Sequence, residues 1–272
     1  MKKVNIIGEI GINHNGDLEL CKKIIDSAVL ARCDYVKFQK RNPDVCVPEE
    51  QKSKLKSTPW GDMTYLEYKY KVEFGKEEYD EIDRYCKEKG IGWFASVWDN
   101  ESVDFMSQYC NITKIPSALI TDKKLVEYAR SKFDYLIIST GMSTEDEVEN
   151  AVLISNPDVI MHTNSTYPSP INELNLEYIT WLKNKYKKEV GYSGHEYGLT
   201  TTFATIPMGV EWVERHITLD RTMWGSDQMA SVEPTGLIKL VKGIRDIEKA
   251  LGGNHPRVLL GSELKKQKTL RK

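Results

Sequence analysis

The sequence has no surplus of charge of either sign: 38 Lys and Arg face 40 Asp and Glu, for a formal net charge of −2. Nucleic-acid binders usually need an excess of cations to neutralise phosphates, so that class is excluded. No apolar run approaches the ~18–20 residues that span a bilayer, which predicts no membrane partner. The opening MKKVNIIGEIGINHNG carries lysines but no small-residue cleavage site, and its apolar run breaks at Glu9 and Asn13. It reads as a first strand, not a secretory leader. The cysteines Cys21, Cys33, Cys46, Cys86 and Cys110 are an odd set of five with no CxxC pair. That spacing fits neither a zinc knuckle nor a disulfide framework and points to a reducing compartment, the cytoplasm. No Gly/Ser-rich or Pro-rich linker divides the chain, so residues 1–272 are expected to form a single domain. The stretch after the first strand lacks G-x-G-x-x-G, which disfavours a dinucleotide fold.

What is present suits a globular enzyme. Hydrophobic residues make up 40 % and charged residues 29 %, and 14 Tyr and 6 Trp argue against disorder. Short β-type runs alternate with segments of helical period. The predicted strands are 4–10, 35–39, 92–97, 112–115, 135–139, 159–162, 189–192 and 212–217. Helical patterns occupy 18–31, with Asp17 as N-cap, then 77–89, 123–132, 145–154, 174–187 and 235–251. This order in a chain of 272 residues predicts a (β/α)₈ barrel. An open doubly wound sheet is the alternative. The stretch from about Asn42 to about Thr64, with Pro43, Pro48, Pro59 and Trp60, reads as one long loop.

Barrel chemistry gathers at the C-terminal ends of the strands, and several of these ends are unusually polar. In Tyr35-Val36-Lys37-Phe38-Gln39 the period of two turns Lys37 and Gln39 inward. Lys114, in Ile112-Thr113-Lys114-Ile115-Pro116-Ser117, repeats the pattern on another strand. A desolvated ammonium is costly unless an anion meets it. Two such lysines point to an anionic ligand, a phosphate or carboxylate; pairing of each with a structural carboxylate is the competing reading. The last two strands end in His195 and His216, which neighbouring strands would bring together. A pair of imidazoles with oxygen ligands suits Mn²⁺, Fe²⁺, Co²⁺ or Zn²⁺, whereas a lone histidine is more often a hydrogen-bonded core residue. Glu9, on the first strand, sits beside the eighth when the barrel closes and could be a third contact; His14 and His162 are weaker candidates. The Ser139–Ser143 and His162–Pro168 turns offer hydroxyls and N–H groups to phosphate oxygens. Asp227 could hold a sugar hydroxyl or cap a turn.

The motifs GEIGINHNG, YVKFQ, KIPS, ISTGM, HTNSTYPSP, GYSGHE, ERHITLD and MWGSDQ follow one another from near residue 4 to about residue 250. In this order they resemble the sialic acid synthase, or N-acetylneuraminate synthase, family. The resemblance implies a barrel that condenses phosphoenolpyruvate with an N-acylated hexosamine to a nine-carbon 2-keto sugar acid and phosphate. It implies that Lys37 and Lys114 bind phosphoenolpyruvate with Ser117, Ser165, Ser193 and, on a looser match, Ser96. It further implies that His195 and His216 hold a divalent metal, usually Mn²⁺ or Mg²⁺, with Glu9 near metal and water. Gln39, Tyr167 and Asp227 would face the sugar.

Departures from the family pattern bear on the acceptor. Leu119 stands where members often carry an acid, and Gly194 where many carry Asp. The chain is expected to be the barrel alone, without the family's small antifreeze-like domain. A homodimer is compatible with the resemblance. An alternative keeps the chemistry on another acceptor, a di-N-acetylated legionaminic- or pseudaminic-type precursor or a sugar phosphate. A non-catalytic sugar- or anion-binding barrel is the remaining alternative; it has no need of Lys37, Lys114, His195 and His216 together.

Overall fold

The computed structural model describes residues 3–253 and 256–271. Strands β1 (Asn5–Gly11) and β2 (Tyr35–Lys40) are followed by a hairpin, β3 (Leu55–Thr58) and β4 (Gly61–Thr64). Then come β5 (Gly92–Val97), β6 (Ile112–Ile115), β7 (Tyr135–Ser139), β8 (Val159–Thr163), β9 (Glu189–Gly194) and β10 (Trp212–His216). Apart from the hairpin, the strands pair in parallel in the closed order β1-β10-β9-β8-β7-β6-β5-β2. The fold is the expected (β/α)₈ barrel. No described helix is long and apolar enough to cross a membrane.

The helices form where the apolar period and the caps agree. Asp17 accepts from the Leu20 N–H at the start of Leu18–Ala31, and Thr144 and Glu147 build a capping box on Glu145–Ser155. Two outer helices, Asn100–Met106 and Thr200–Thr205, were not expected. Both are short, and the second is TTTFAT, whose β-branched threonines are weak helix formers. The helix predicted from Leu174 begins only at Glu177, after a 3₁₀ turn at Ile171–Glu173.

The expected long loop is the main correction. It holds short helices at Pro43–Cys46 and Glu49–Lys52 and the β3–β4 hairpin, and the helix Tyr65–Val72 follows it. Elements of four residues carry too little period to be read from sequence. The C-terminal helix Gly261–Leu270 buries none of its residues.

Alternation along each strand divides the interior into two cores. Outward side chains such as Val36, Phe38, Ile138 and Ile160 pack under the helices. Phe38 meets Tyr79 and Trp93 edge-on at centroid distances of 6.1 and 5.9 Å. Inward, Ile7, Phe94, Ile137, Met161 and Trp212 plug the lower barrel. Two residues further along the same faces stand Glu9, Ser96, Ser139, Thr163 and Glu214. The apolar plug thus forms the floor of a polar chamber.

The helix Pro234–Leu251 seals the barrel through Leu237, Leu240, Val241 and Ile244. Leu240 is fully buried, so Leu240→Ala is expected to cost about 2–5 kcal/mol in urea unfolding. A loss under about 1 kcal/mol would mean this helix does not close the core.

Candidate active site

Strand register sets the chamber. Glu9 lies level with His216 on one side and Lys37 on the other. Ser96 is level with Gln39 and with Lys114, and Ser193 with Glu214. The result is a cavity of about 250 Å³ at the C-terminal end of the barrel. Its wall includes Glu9, Lys37, Gln39, Ser96, Lys114, Ser117, Ser165, Tyr167, Ser193, His195 and His216, all expected from the sequence. Ser139, from a turn expected to offer hydroxyls, lines it too; Trp98 and Glu214 also line it and were not expected to.

The two lysines converge and are also paired with carboxylates, so both readings of them hold at once. Lys37 Nζ lies 2.8 Å from Glu9 Oε2 and 3.6 Å from Glu214 Oε1, and it donates to Ser96 Oγ at 2.8 Å. Lys114 Nζ donates to Glu214 Oε1 at 2.9 Å, and Ser193 Oγ donates to the same oxygen at 3.2 Å. Burial alone would raise the pKa of Glu214, but Lys114 and Lys37 outweigh it and hold the carboxyl down at about 2. Burial pushes Glu9 above the usual carboxylate range; Lys37 opposes this and Glu214 reinforces it. Burial lowers Lys114, and Glu214 offsets that only in part; for Lys37 the two carboxylates win and its pKa rises. Glu214 is therefore the shared anion of two ammonium ions, and Glu9 the carboxyl most ready to take a proton.

The histidine rings stand 5.4 Å apart, and the Tyr167 ring lies 4.0 Å from that of His195 at a tilt of 33°. His195 Nδ1 lies 2.6 Å from the Asn164 carbonyl oxygen, which can only accept, so Nδ1 carries the proton and Nε2 keeps its lone pair. Burial, reinforced by His216, lowers the His195 pKa to about 3, so the imidazole is neutral. His216 Nδ1 is buried without a hydrogen-bond partner. A free lone pair and an orphaned ring nitrogen fit a metal ion. Among the described residues no three His, Cys, Asp or Glu side chains are grouped to hold one unaided. Two imidazoles are fewer donors than the four of a closed structural site.

Gly141 is the tightest point of the wall. A β-carbon there would come within 2.2 Å of Ser165 Oγ and 2.8 Å of Ser117 Oγ, so only glycine lets these hydroxyls converge. Gly194 has a different reason. Its β-carbon would lie 2.5 Å from Glu196 Oε2, and Glu196 pairs with Arg215 at 3.2 Å behind the barrel wall. Leu119 packs against the outer core, and Asp122 is occupied as N-cap, accepting from the Leu125 N–H at 3.1 Å.

Three expected residues are placed differently. Asp227 is not part of the cavity wall; it stands behind it, 4.0 Å from His216 Nδ1. His14 stacks on Phe74 at 3.9 Å, and His162 bonds the Leu174 carbonyl oxygen at 2.6 Å, both outside the cavity. Glu214 was legible in principle: alternation puts it on the inward face with Trp212 and His216.

Glu214→Gln is expected to leave Lys114 without an anion and to cost about 3–5 kcal/mol at neutral pH. The carboxyl sits at about 2 against an ordinary 4.5, so its contribution is complete above the higher value and fades as pH falls toward the lower. Urea unfolding should therefore show the gap between parent and variant closing in acid. A gap that is absent at neutral pH, or that widens in acid, would overturn the assignment.

Comparison with known proteins places the chain as a whole. The NeuB family profile matches residues 24–256. An N,N'-diacetyllegionaminic acid synthase of Campylobacter jejuni is 37 % identical over 93 % of this chain and 78 % of its own length. The human N-acetylneuraminate-9-phosphate synthase is 34 % identical over 91 % of this chain and 71 % of its own. Among solved structures, an N-acetylneuraminic acid synthetase of Leptospira borgpetersenii in complex with citrate superposes with a TM-score of 0.86. It is 32 % identical, over 99 % of this chain and 93 % of that one.

Proposed function

The chain belongs to the NeuB family of sugar-acid synthases, and from that premise we infer that it joins phosphoenolpyruvate to an N-acylated aldose of the N-acetylmannosamine kind. The product is a nine-carbon 2-keto sugar acid, and phosphate leaves by C–O cleavage. The observation that carries this reading is the Lys37, Lys114, Glu9 and Glu214 cluster beside two imidazoles in one cavity.

Phosphoenolpyruvate brings a phosphate and a carboxylate, and Lys37 and Lys114 take them in exchange for Glu9 and Glu214. Hydroxyls of Ser96, Ser117, Ser165 and Ser193 complete the cradle. This fixes the reactive C3 against the aldehyde carbon of the acceptor, which Gln39 and Tyr167 face from the cavity wall. When the anion binds, it adds negative charge beside Glu9 and raises its proton affinity further. Glu9 then accepts a proton from the water that adds at C2, and the new hydroxyl on the acceptor takes up a proton in balance. His195 and His216 would hold a divalent cation, Mn²⁺ or Mg²⁺, which would supply Lewis-acid chemistry toward the aldehyde; imidazole ligands favour Mn²⁺. No covalent bond to either lysine is needed.

A second reading changes only the acceptor. The 37 % identity to an N,N'-diacetyllegionaminic acid synthase supports a di-N-acetylated aldose.

Incubation with phosphoenolpyruvate, Mn²⁺ and a panel of aldoses is expected to release phosphate with at least one of them. With ¹⁸O in the bridging position of phosphoenolpyruvate, the label should leave in the phosphate. Phosphate release with no aldose in the panel would defeat the reading. Chelation should abolish turnover and Mn²⁺ restore it, while His195→Ala and His216→Ala should lose stoichiometric metal by direct metal analysis. Full metal content in both variants would refute the ligand role. Lys37→Ala should raise KM for phosphoenolpyruvate about tenfold to a hundredfold and the acceptor KM far less; equal changes would make Lys37 structural.

A further inference from the structure

The two imidazoles stand at neighbouring strand ends, yet the paired register of β9 and β10 stops at Gly194 and Arg215, one residue short of either ring. The His195 carbonyl accepts from the Ser169 N–H at 3.1 Å and the His216 carbonyl from the Val232 N–H at 2.7 Å, so each is tied to a different loop. A buried ion pair on the outer side of the wall joins the two strand ends to each other. Glu196 follows His195 and Arg215 precedes His216, and the alternation that turns His216 inward turns Arg215 outward. The Arg215 and Glu196 side chains are 1 % and 0 % exposed.

The contacts of this pair reach the backbone. Arg215 Nη1 donates to Glu196 Oε1 at 3.2 Å, to Thr202 Oγ1 at 2.8 Å and to the Gly198 carbonyl oxygen at 2.9 Å. Nη2 donates to the Glu196 carbonyl oxygen at 2.5 Å, one residue from His195. Nε is buried without an acceptor, so the grip is made by the two terminal nitrogens. The Glu196 carboxylate accepts in turn from the hydroxyls of Tyr192 at 2.9 Å, Thr201 at 2.7 Å and Thr202 at 3.1 Å. Both threonines come from the helix Thr200–Thr205; they are poor helix formers, and here their hydroxyls hold the pair. Gly194 leaves the space that Glu196 fills.

We propose that Arg215 and Glu196 are positioning residues, whose pair sets the separation and aim of the His195 and His216 rings and through them the affinity for a divalent cation. The inference rests on the ligand role given to the two histidines above. Two imidazoles 5.4 Å apart share an ion only within a narrow range of separations and tilts. Groups that orient the ligands therefore govern affinity, and losing one costs about tenfold to a hundredfold. A buried ion pair adds little net stability over apolar side chains of the same volume; fixing one geometry is what it does better. A planar guanidinium reaches carboxylate, hydroxyl and two carbonyl oxygens at once, which a compact ammonium does not.

Arg215→Lys keeps the charge and loses the fork. It is expected to weaken Mn²⁺ binding about tenfold to a hundredfold, followed by the electron paramagnetic resonance of free Mn²⁺. Phosphoenolpyruvate binding to the metal-free protein, by calorimetry, should change far less. Arg245→Lys breaks an ion pair with Asp34, 2.7 Å long, at the other end of the barrel; it should lower stability and leave Mn²⁺ affinity as it is. Thr201→Val removes one bond to Glu196 and should give a smaller loss in the same direction, which decides the matter if Arg215→Lys fails to fold. In metal-free protein labelled with ¹⁵N-histidine, the ring signals of His195 and His216 should shift in Arg215→Lys and Thr201→Val and stay in place in Arg245→Lys. Parent-like Mn²⁺ affinity in the first two variants, or unshifted rings, would overturn the proposal. So would losses of Mn²⁺ and phosphoenolpyruvate affinity that match each other, which would leave the pair a support of the fold alone. If the parent itself binds no Mn²⁺, the ligand reading fails, and the ring signals still decide whether the pair positions the histidines.

Discussion

Glu9, Lys37, Lys114 and Glu214 are each no more than 3 % exposed, and they face one another inside the barrel. Moving any one of them out of water costs several kcal/mol, which only a well-placed opposite charge offsets. That requirement governs the design of the mouth. The strands must close in the register that sets Glu9 level with Lys37, and β10 must bring Glu214 within reach of Lys114. The apolar plug of Ile7, Phe94, Ile137, Met161 and Trp212 keeps water from below. The same four charges remain exchangeable. On the proposed reading an incoming anion exchanges with the carboxylates at both ammonium ions, so the pairs that offset one another's burial are the ones a substrate meets.

The rest of the wall supports this quartet by packing. Gly141 lets Ser117 and Ser165 approach one point, which no larger residue permits. Behind β9, Glu196 accepts from Tyr192, Thr201 and Arg215, a second buried ion pair that occupies the space beside Gly194. This pair faces away from the cavity. The departure from Asp at Gly194 is therefore a matter of packing in the outer layer.

Much of the architecture was legible because barrel strands leave a local mark. Three of the eight barrel strands and the helices Leu18–Ala31 and Lys123–Lys132 were read to the residue, and the other five strands end within two residues of where alternation and flanking turns placed them. The helices at Asn100–Met106 and Thr200–Thr205 were missed because two turns carry too little period, and threonine hides a helix further. The short helices and hairpin between Pro43 and Thr64 were read as a loop for the same reason. Within the site, the inward lysines and the strand-end histidines and serines were recognisable from their positions. Glu214 was passed over because it precedes the more conspicuous His216, although the two share a face. Asp227 was placed too near the cavity, because sequence gives the order of residues after a strand and not the path of the turn.

By itself the sequence determined which segments become strands, which of their side chains point inward and which ionisable groups the interior must accommodate. These follow from alternation and composition, which act over a few residues. Only the tertiary structure decided the partners. Glu9 meets His216 because β1 closes against β10, and Lys114 meets Glu214 across the barrel from strands far apart in the chain. Whether a buried lysine is a ligand for substrate or half of an ion pair depends on such closures, since Coulomb energy depends on distance in space and not on separation in sequence.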